Sequence, residues 1–412
     1  MNAMAAAFQT LTERGFVSQT TDAAGVERLL AAGPVTFYIG FDPTADSLHA
    51  GSLLPLMAMA HLQRAGHRPI AILGGGTAMV GDPSGKTEMR RMLSREQIGR
   101  NAEALKQQLG RFIDLDAALV LDNADWLLDL NYIDFLRDIG RHFSVNRMLS
   151  FESYKIRLER GLSFLEFNYQ LLQAYDFLVL HRAQGCRLQL GGDDQWGNIV
   201  AGLDLVRRVE STEVFGLTLP LLTTAGGEKM GKTAQGAVWL APERTSPYDF
   251  YQYFRNTDDR DVERFLRFFT FLELDAVQRL GRQQGAALNE AKEVLATEVT
   301  ATVHGREAAD KARRAARSAF GAVGDGAADI PTTRLPAARL RAGVLVIDLF
   351  AEVGLVQSKS EARRLIKQGG ARVGQQRVAD FERRVGPADL EDGAVLLRAG
   401  KKRVHRVVVA DE

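Results

Sequence analysis

The stretch that decides the fold is Val35-Thr36-Phe37-Tyr38-Ile39-Gly40, followed by Phe41-Asp42-Pro43-Thr44 and then by His49-Ala50-Gly51-Ser52. Val35 to Gly40 is an apolar run of β-branched and aromatic side chains, the pattern of a buried strand. A polar turn ends it, and from about His49 to Ala65 the chain reads as helix, closed by Gly66. A second buried run, Pro69 to Leu73, enters Gly74-Gly75-Gly76. Leu119 to Leu121, Arg187 to Leu190 and Leu217 to Leu222 read as further strands with helical segments between them. This alternation predicts an α/β fold, a Rossmann-like parallel sheet wrapped by helices. Upstream, residues 1–33 read as amphipathic helix with Leu11, Phe16, Val26, Leu29 and Leu30 on its apolar face.

The chain has 412 residues, 46% apolar and 25% charged, which excludes bulk disorder, a rod and a collagen-like repeat and predicts two or three domains. Its 52 Lys and Arg nearly balance 51 Asp and Glu, so a nucleic-acid contact must come from local charge asymmetry. A single cysteine, Cys186, excludes a disulfide framework and a cysteine-rich metal site, and fits a reducing compartment. Met1 to Val17 lacks a signal-peptide pattern and no run of 18 apolar residues exists, so the expectation is a cytoplasmic protein without a membrane partner.

Tyr248 to Ala319 carries helical periodicity, with Phe250, Phe254, Phe265, Phe268 and Leu272 in one stripe. Gly321 to Gly343 is rich in Gly, Ala and Pro and reads as a linker. Beyond it, helices are expected near Val346–Ala351 and Ser360–Lys367, and strands at Val395–Leu397 and Val404–Val409. The expected organisation is a Rossmann-like domain over 1–222, a mobile lysine-bearing loop and connection over 223–247, an α-helical domain over 248–320, a linker over 321–343 and a small α+β domain over 344–412.

Two short motifs carry phosphate chemistry. His49-Ala50-Gly51-Ser52 begins a helix, where unpaired backbone N–H groups attract phosphate, and Gly51 lets a ribose lie against the backbone. Lys229-Met230-Gly231-Lys232-Thr233 places two lysines and a hydroxyl on a glycine-rich loop, a cation clamp for phosphates. Taken singly, His49 is as readily a helix cap or packing residue, and the lysine segment a solvated loop. In this order together they resemble the class I aminoacyl-tRNA synthetases, and Tyr38 to His49 (YIGFDPTADSLH) narrows the resemblance to the bacterial tyrosyl-tRNA synthetases. Gly81 to Lys86 (GDPSGK), Asn168 to Asp176 (NYQLLQAYD) and Gly191 to Asn198 (GGDDQWGN) agree, and the resemblance spans essentially the whole chain. It departs twice. Ser52 stands where that family usually has a second histidine, and Gly231 where serine is commoner, which bears on rate and ATP affinity rather than on the reaction.

The resemblance implies a tyrosine–tRNA ligase: tyrosine attacks the α-phosphate of ATP, pyrophosphate leaves, and tyrosyl passes to the 3′-terminal adenosine of tRNA(Tyr). Such chemistry needs positioning and charge stabilisation rather than a protein nucleophile. By the same resemblance Thr44, His49, Lys86, Arg90, Lys229, Lys232 and Thr233 stabilise the departing phosphates. Gly40, Asp42, Gly51, Ser52, Gly192, Asp194 and Lys232 form the ATP site. Tyr38 and Asp176 meet the phenol, Asp82, Tyr169 and Gln173 take the ammonium group, and Gln195 lies near the carboxylate. Mg²⁺ is expected to arrive with ATP, with no resident metal. The spacing alone puts Tyr169, Gln173 and Asp176 on one helical face, and Leu171, Leu172 and Phe177 mark that helix as buried with a polar window. Phenylalanine in place of tyrosine would leave Asp176 partly unsatisfied.

Leu355 to Arg377 holds Lys359, Arg363, Arg364, Lys367, Arg372 and Arg377 against one acid, Glu361, and Lys401-Lys402-Arg403 adds a second cluster. Ser358 to Gly370 resembles an S4 RNA-binding domain, which implies Lys359, Arg363, Arg364, Lys367, Lys401, Lys402 and Arg403 as tRNA contacts. Lys311 to Arg317 is a second candidate surface. Homodimers are the family habit, here expected through Trp126 to Met148 and near Phe164. The rival readings are a tryptophanyl-tRNA synthetase, against which Tyr38, Asp176 and the S4-like segment argue, and a non-catalytic RNA-binding relic, against which the intact motifs argue.

Overall fold

The computed structural model describes residues 3–84, 93–159, 161–227, 229–233, 236–320, 330–391, 393–400 and 403–410, with backbone alone at 232, 233, 319 and 320. Six strands, β1 (Gln19–Thr20), β2 (Thr36–Phe41), β3 (Arg68–Leu73), β4 (Leu119–Asp122), β5 (Leu188–Gly192) and β6 (Phe215–Leu219), form one sheet in the order β1-β6-β5-β2-β3-β4. All neighbours run parallel except β1, which pairs antiparallel with β6, so the sheet is mixed rather than purely parallel. β2 sits inside because Phe37, Tyr38 and Ile39 are all buried. The chain runs from β2 outward through β3 to β4, then returns to β5 and β6 on the other side. A doubly wound sheet accepts ligands at such a reversal, at the carboxyl ends of the strands that flank it.

The stretch read as a single N-terminal helix is two, Ala7–Arg14 and Ala23–Ala32, with β1 between them. Gly15, at φ 86°, closes the first helix in a conformation that costs a glycine little. The helix Leu53–Arg64 buries eight residues around most of its circumference, as its lack of a polar stripe requires. Helices Tyr169–Gln184 and Trp196–Glu210 pack together, and Phe177, Leu178, Leu205 and Val206 join Tyr38, Ile70 and Ile72 in one core.

The chain forms two compact units, and the expected helical domain over 248–320 is divided between them: 258–283 belongs with the sheet, 245–257 and 284 onward to the second unit. The reason lies in Val262–Phe269, which buries Val262, Phe265, Leu266, Phe268 and Phe269 and packs against Leu53–Arg64. Arg14 fixes its end. Its Nη1 donates to the carbonyls of Arg267 and Thr270 (both 3.0 Å), and its Nη2 to that of Leu272 (2.6 Å). Those carbonyls have no partner within the helix, and the buried guanidinium supplies one.

In the second unit, Pro247–Arg255, Ala286–His304 and Arg306–Phe320 pack on one another. A separate core of Val346, Leu349, Phe350, Ile366, Val395, Leu397 and Val407 supports a five-stranded sheet. Part of the expected linker belongs to that sheet: Thr332–Pro336 pairs parallel with Arg406–Ala410, and Ala337–Ala342 is helical. Only Leu335 of this edge strand is buried, so the sequence offers no apolar alternation to reveal it. Among the described residues no helix is long and apolar enough to cross a membrane.

Arg14→Ala is expected to lower the unfolding free energy by about 2–3 kcal/mol, because buried carbonyls lose their donor. A urea denaturation curve checks this, and a loss below about 0.5 kcal/mol, the level of an inert surface change, would show the clamp to be dispensable.

Candidate active site

A cavity of ≈ 410 Å³ opens where the topology places it, between the carboxyl ends of β2 and β5. Tyr38, Gly40, Asp42 and Thr44 line it from β2 and the turn that follows, and His49, Gly51 and Ser52 from the next helix start. Asp82, Tyr169, Gln173 and Asp176 form the facing wall, with Gly192, Asp194 and Gln195 at the end of β5. Of the remaining catalytic and ATP-binding candidates, Lys86 and Arg90 lie outside the described residues, and Lys232 and Thr233 are described by backbone alone. Lys229 is exposed, and its charge acts on Asp194.

The helix Tyr169–Gln184 delivers Tyr169, Gln173 and Asp176 from successive turns of one face, as their spacing requires. Asp176 is only 3% exposed. Its Oδ1 accepts from Trp126 Nε1 (2.8 Å) and its Oδ2 from Asn123 Nδ2 (3.0 Å). Its pKa stands raised to about 7: burial pushes it up most, the two hydrogen bonds pull against that, and the charges of Asp42 and Asp122 add to the rise. The Tyr38 hydroxyl is buried and has no hydrogen-bond partner, while its ring meets Phe177 edge-on at 5.2 Å. Burial, and then the Asp176 charge, hold the Tyr38 pKa well above a phenol's ordinary value, so it stays a neutral donor. A buried hydroxyl without a partner is costly, and a polar ligand atom brought beside it would satisfy it.

Sequence reading missed Asn123 and assigned Trp126 to an association surface. The indole N–H of Trp126 instead reaches Asp176 across 50 residues of chain. A polar Asn just past the strand Leu119–Asp122 was the available signal, but nothing local to it says which carboxylate it faces.

At the other end, Asp82 Oδ1 accepts from the Ser84 N–H (2.9 Å) and Oδ2 from Gln195 Nε2 (2.7 Å). Asn198 Nδ2 donates to Gln195 Oε1 (3.1 Å) and Gln173 Oε1 (3.0 Å), and the Tyr169 hydroxyl donates to Asp42 Oδ2 (3.1 Å). Burial, then the charge of Asp82, raises the Asp194 pKa, and Lys229 pulls it down. Four carboxylates therefore line the cavity, a field that draws a cationic group such as an ammonium.

His49 is a helix cap whose ring also faces the cavity. Its Nδ1 accepts from the Gly51 N–H (3.0 Å) and caps the short helical turn Ala50–Ser52, while its ring lines the cavity. Trp239 meets that ring edge-on at 6.3 Å. The lysine loop comes to the same place: Met230 is buried, its N–H donating to the Leu222 carbonyl (3.0 Å). Gly231 has φ 81°, and a Cβ there would stand 2.7 Å from the Gly51 nitrogen. The two motifs meet backbone to backbone, and this contact admits no side chain at position 231.

In the second unit, Lys359, Arg363, Arg364 and Lys367 are exposed on the helix Lys359–Lys367, which buries Ala362 and Ile366 beneath them. Lys359 Nζ lies 3.0 Å from Asp348, and Arg403 Nη2 lies 3.9 Å from Glu361. Lys401 and Lys402 lie outside the described residues. The second basic surface is weaker than its sequence: Arg313 pairs with Asp310 and Arg317 with Glu293.

Residues 30–321 match the family of class I tRNA synthetases for tryptophan and tyrosine, and residues 322–407 match the C-terminal domain of tyrosine–tRNA ligases. The chain belongs to the tyrosyl-tRNA synthetase family. The tyrosine–tRNA ligase of Desulfosudis oleivorans is 56% identical over 423 residues, covering 97% of this chain and 98% of that one. That of Clostridium perfringens (strain 13 / Type A) is 52% identical over 409 residues, covering 99% and 100%. Among solved structures, a C-terminally truncated mitochondrial tyrosyl-tRNA synthetase from Aspergillus nidulans superposes with TM-score 0.69 at 30% identity, covering 76% of this chain and 94% of that one. The tyrosyl-tRNA synthetase resemblance of the two motifs is thus met by kinship along nearly the full length, and the tryptophanyl alternative is displaced by the match of the C-terminal domain.

Gly231→Ser is expected to pull the lysine loop away from Gly51, because a Cβ cannot occupy the present contact. Limited trypsin digestion should then cut at Lys229 or Lys232 several-fold faster than in the parent chain; an unchanged rate would mean that the loop absorbs the side chain in place.

Proposed function

We propose that the chain activates L-tyrosine with ATP and transfers it to tRNA(Tyr), and that the cavity at β2 and β5 is where activation occurs. One observation carries the residue assignment: a buried carboxylate, Asp176, and an orphaned hydroxyl, Tyr38, line the same cavity as His49 and Gly51, against which the backbone of the Lys229 loop packs at Gly231. A phenol entering there donates to Asp176 and accepts from Tyr38, which phenylalanine cannot do. The substrate ammonium group goes to Asp82, Tyr169 and Gln173, and Gln195 steadies the carboxylate. One carboxylate oxygen then attacks the α-phosphorus in line, the bond to the bridging oxygen breaks, and pyrophosphate leaves. Thr44, His49, Lys86, Arg90, Lys229, Lys232 and Thr233 balance the charge that grows on the departing phosphates. Gly40, Asp42, Gly51, Ser52, Gly192 and Asp194 cradle the nucleotide. A ribose hydroxyl of the terminal adenosine next attacks the tyrosyl carbonyl and releases AMP. Mg²⁺ travels with the ATP phosphates.

The tRNA is gripped by an S4-like domain in the C-terminal part, through Lys359, Arg363, Arg364, Lys367 and the cluster Lys401, Lys402 and Arg403. The exposed basic face of Lys359–Lys367 supports this reading. The working form is a cytoplasmic homodimer. Ile133 (67% exposed) and Phe164 (70%), with Tyr132 and Val145, are large apolar side chains left in solvent within one stretch of chain, a surface that asks for a second copy. Phe164→Glu should shift the species measured by light scattering from dimer to monomer; an unchanged dimer would move the interface elsewhere.

Tyrosine-dependent exchange of labelled pyrophosphate into ATP tests the assignment, with phenylalanine and tryptophan as controls. Exchange with tyrosine alone is expected. The KM for tyrosine should rise as pH falls through about 7, since protonation of Asp176 removes the acceptor that the phenol needs. Exchange with tryptophan would mean a misread pocket, a KM flat from about pH 6 to 8 would remove Asp176 from the phenol site, and no exchange at all would sink the enzyme reading.

A further inference from the structure

We propose that Thr77 is a positioning residue that joins the phenol end of the cavity to its nucleotide end. The inference rests on the reading of the cavity given above and concerns a residue to which that reading assigns nothing. Thr77, Asn123 and Asp176 are all buried at the cavity wall. The orientation of the Asn123 amide is set by the backbone: its Oδ1 accepts from the N–H groups of Gly76 (2.8 Å) and Thr77 (3.4 Å). Its Nδ2 therefore faces the other way, with one proton for Asp176 Oδ2 (3.0 Å) and one for Thr77 Oγ1 (3.1 Å). Having accepted from Asn123, the Thr77 hydroxyl has a single proton left, and it goes to Asp42 Oδ1 (2.9 Å). Tyr169 donates to the other oxygen of Asp42 (3.1 Å).

A chain thus links Asp176 to Asp42, with Asn123 donating both to Asp176 and to Thr77, and Thr77 donating to Asp42. Both of its ends are carboxylates, and the charge of Asp42 already weighs on Asp176. The Asn–Thr bridge gives each of them a donor, so two like charges are held in fixed positions. Remove the hydroxyl and Asp42 loses a donor while an Asn123 N–H loses its acceptor, so both ends of the cavity loosen together. A residue that served the tyrosine pocket alone would disturb only that substrate.

Thr77→Val keeps the shape and deletes the hydroxyl. In pyrophosphate exchange it should raise the KM for tyrosine and the KM for ATP, each by about threefold to tenfold, with a smaller change in kcat. Thr77→Ser, which restores the hydroxyl, should bring both constants back towards the parent values. The proposal is overturned if Thr77→Val leaves either KM within about twofold of the parent, or if Thr77→Ser behaves like Thr77→Val. If Thr77→Val melts below the assay temperature, Thr77→Ala is measured instead; if that too unfolds, the hydroxyl is structural and the positioning role falls. Absence of exchange in the parent chain would instead remove the function assigned to the cavity, so the two failures are told apart.

Discussion

Asp176 is a carboxylate taken almost wholly out of water, and the site is arranged around that fact. Moving such a charge into the interior is unfavourable unless donors replace the lost water, and here an indole and an amide do so from a segment 50 residues away in sequence. The replacement is incomplete, which is why the group's pKa rises to about 7 instead of staying in the ordinary carboxylate range. A fully solvated carboxylate would accept from any hydroxyl. One that is under-solvated gains most from the ligand that brings the missing donor, so selectivity follows from the same burial that costs stability.

Close packing of backbone plays the matching part where the His49 and Lys229 motifs meet. Gly51 and Gly231 leave no room for side chains between the helix start and the lysine loop. The hydrogen bond from the Val238 N–H to the Gly231 carbonyl (2.9 Å) and that from Ala50 N–H to the Val238 carbonyl (2.8 Å) lace the same strip together. The position that departs from the commoner family serine is therefore the one where this conformation excludes it. Ser52, the other departure, lines the cavity where the family's second histidine usually stands.

Much of this was legible in the sequence, for reasons that differ by region. Strands such as Thr36–Phe41 and Arg68–Leu73 are buried on both faces, so their composition alone marks them. The residues brought to the cavity lie in short ordered motifs, whose resemblance to a family carried information that spacing could not. What stayed hidden depends on partners remote in sequence. The edge strand Gln19–Thr20 is defined by Thr218 and Leu217, and Thr332–Pro336 by Arg406–Ala410. The divided helical region depends on a buried face meeting Leu53–Arg64, and a composition reading cannot say which body a helix joins. The bond from Trp126 to Asp176 is hidden for the same reason: a hydrogen-bond partner is a tertiary fact.

The clamp made by Arg14 carries a consequence for how the chain is made. Its acceptors at Arg267, Thr270 and Leu272 lie 253 to 258 residues downstream. A ribosome therefore releases the first helix long before the carbonyls that complete it exist, and β1 waits likewise for β6. Until the chain reaches Phe268, Phe16 lacks that ring to pack against. The unit that holds the cavity is closed by its own ends, so its assembly is a late event in synthesis rather than one that grows outward from the N-terminus.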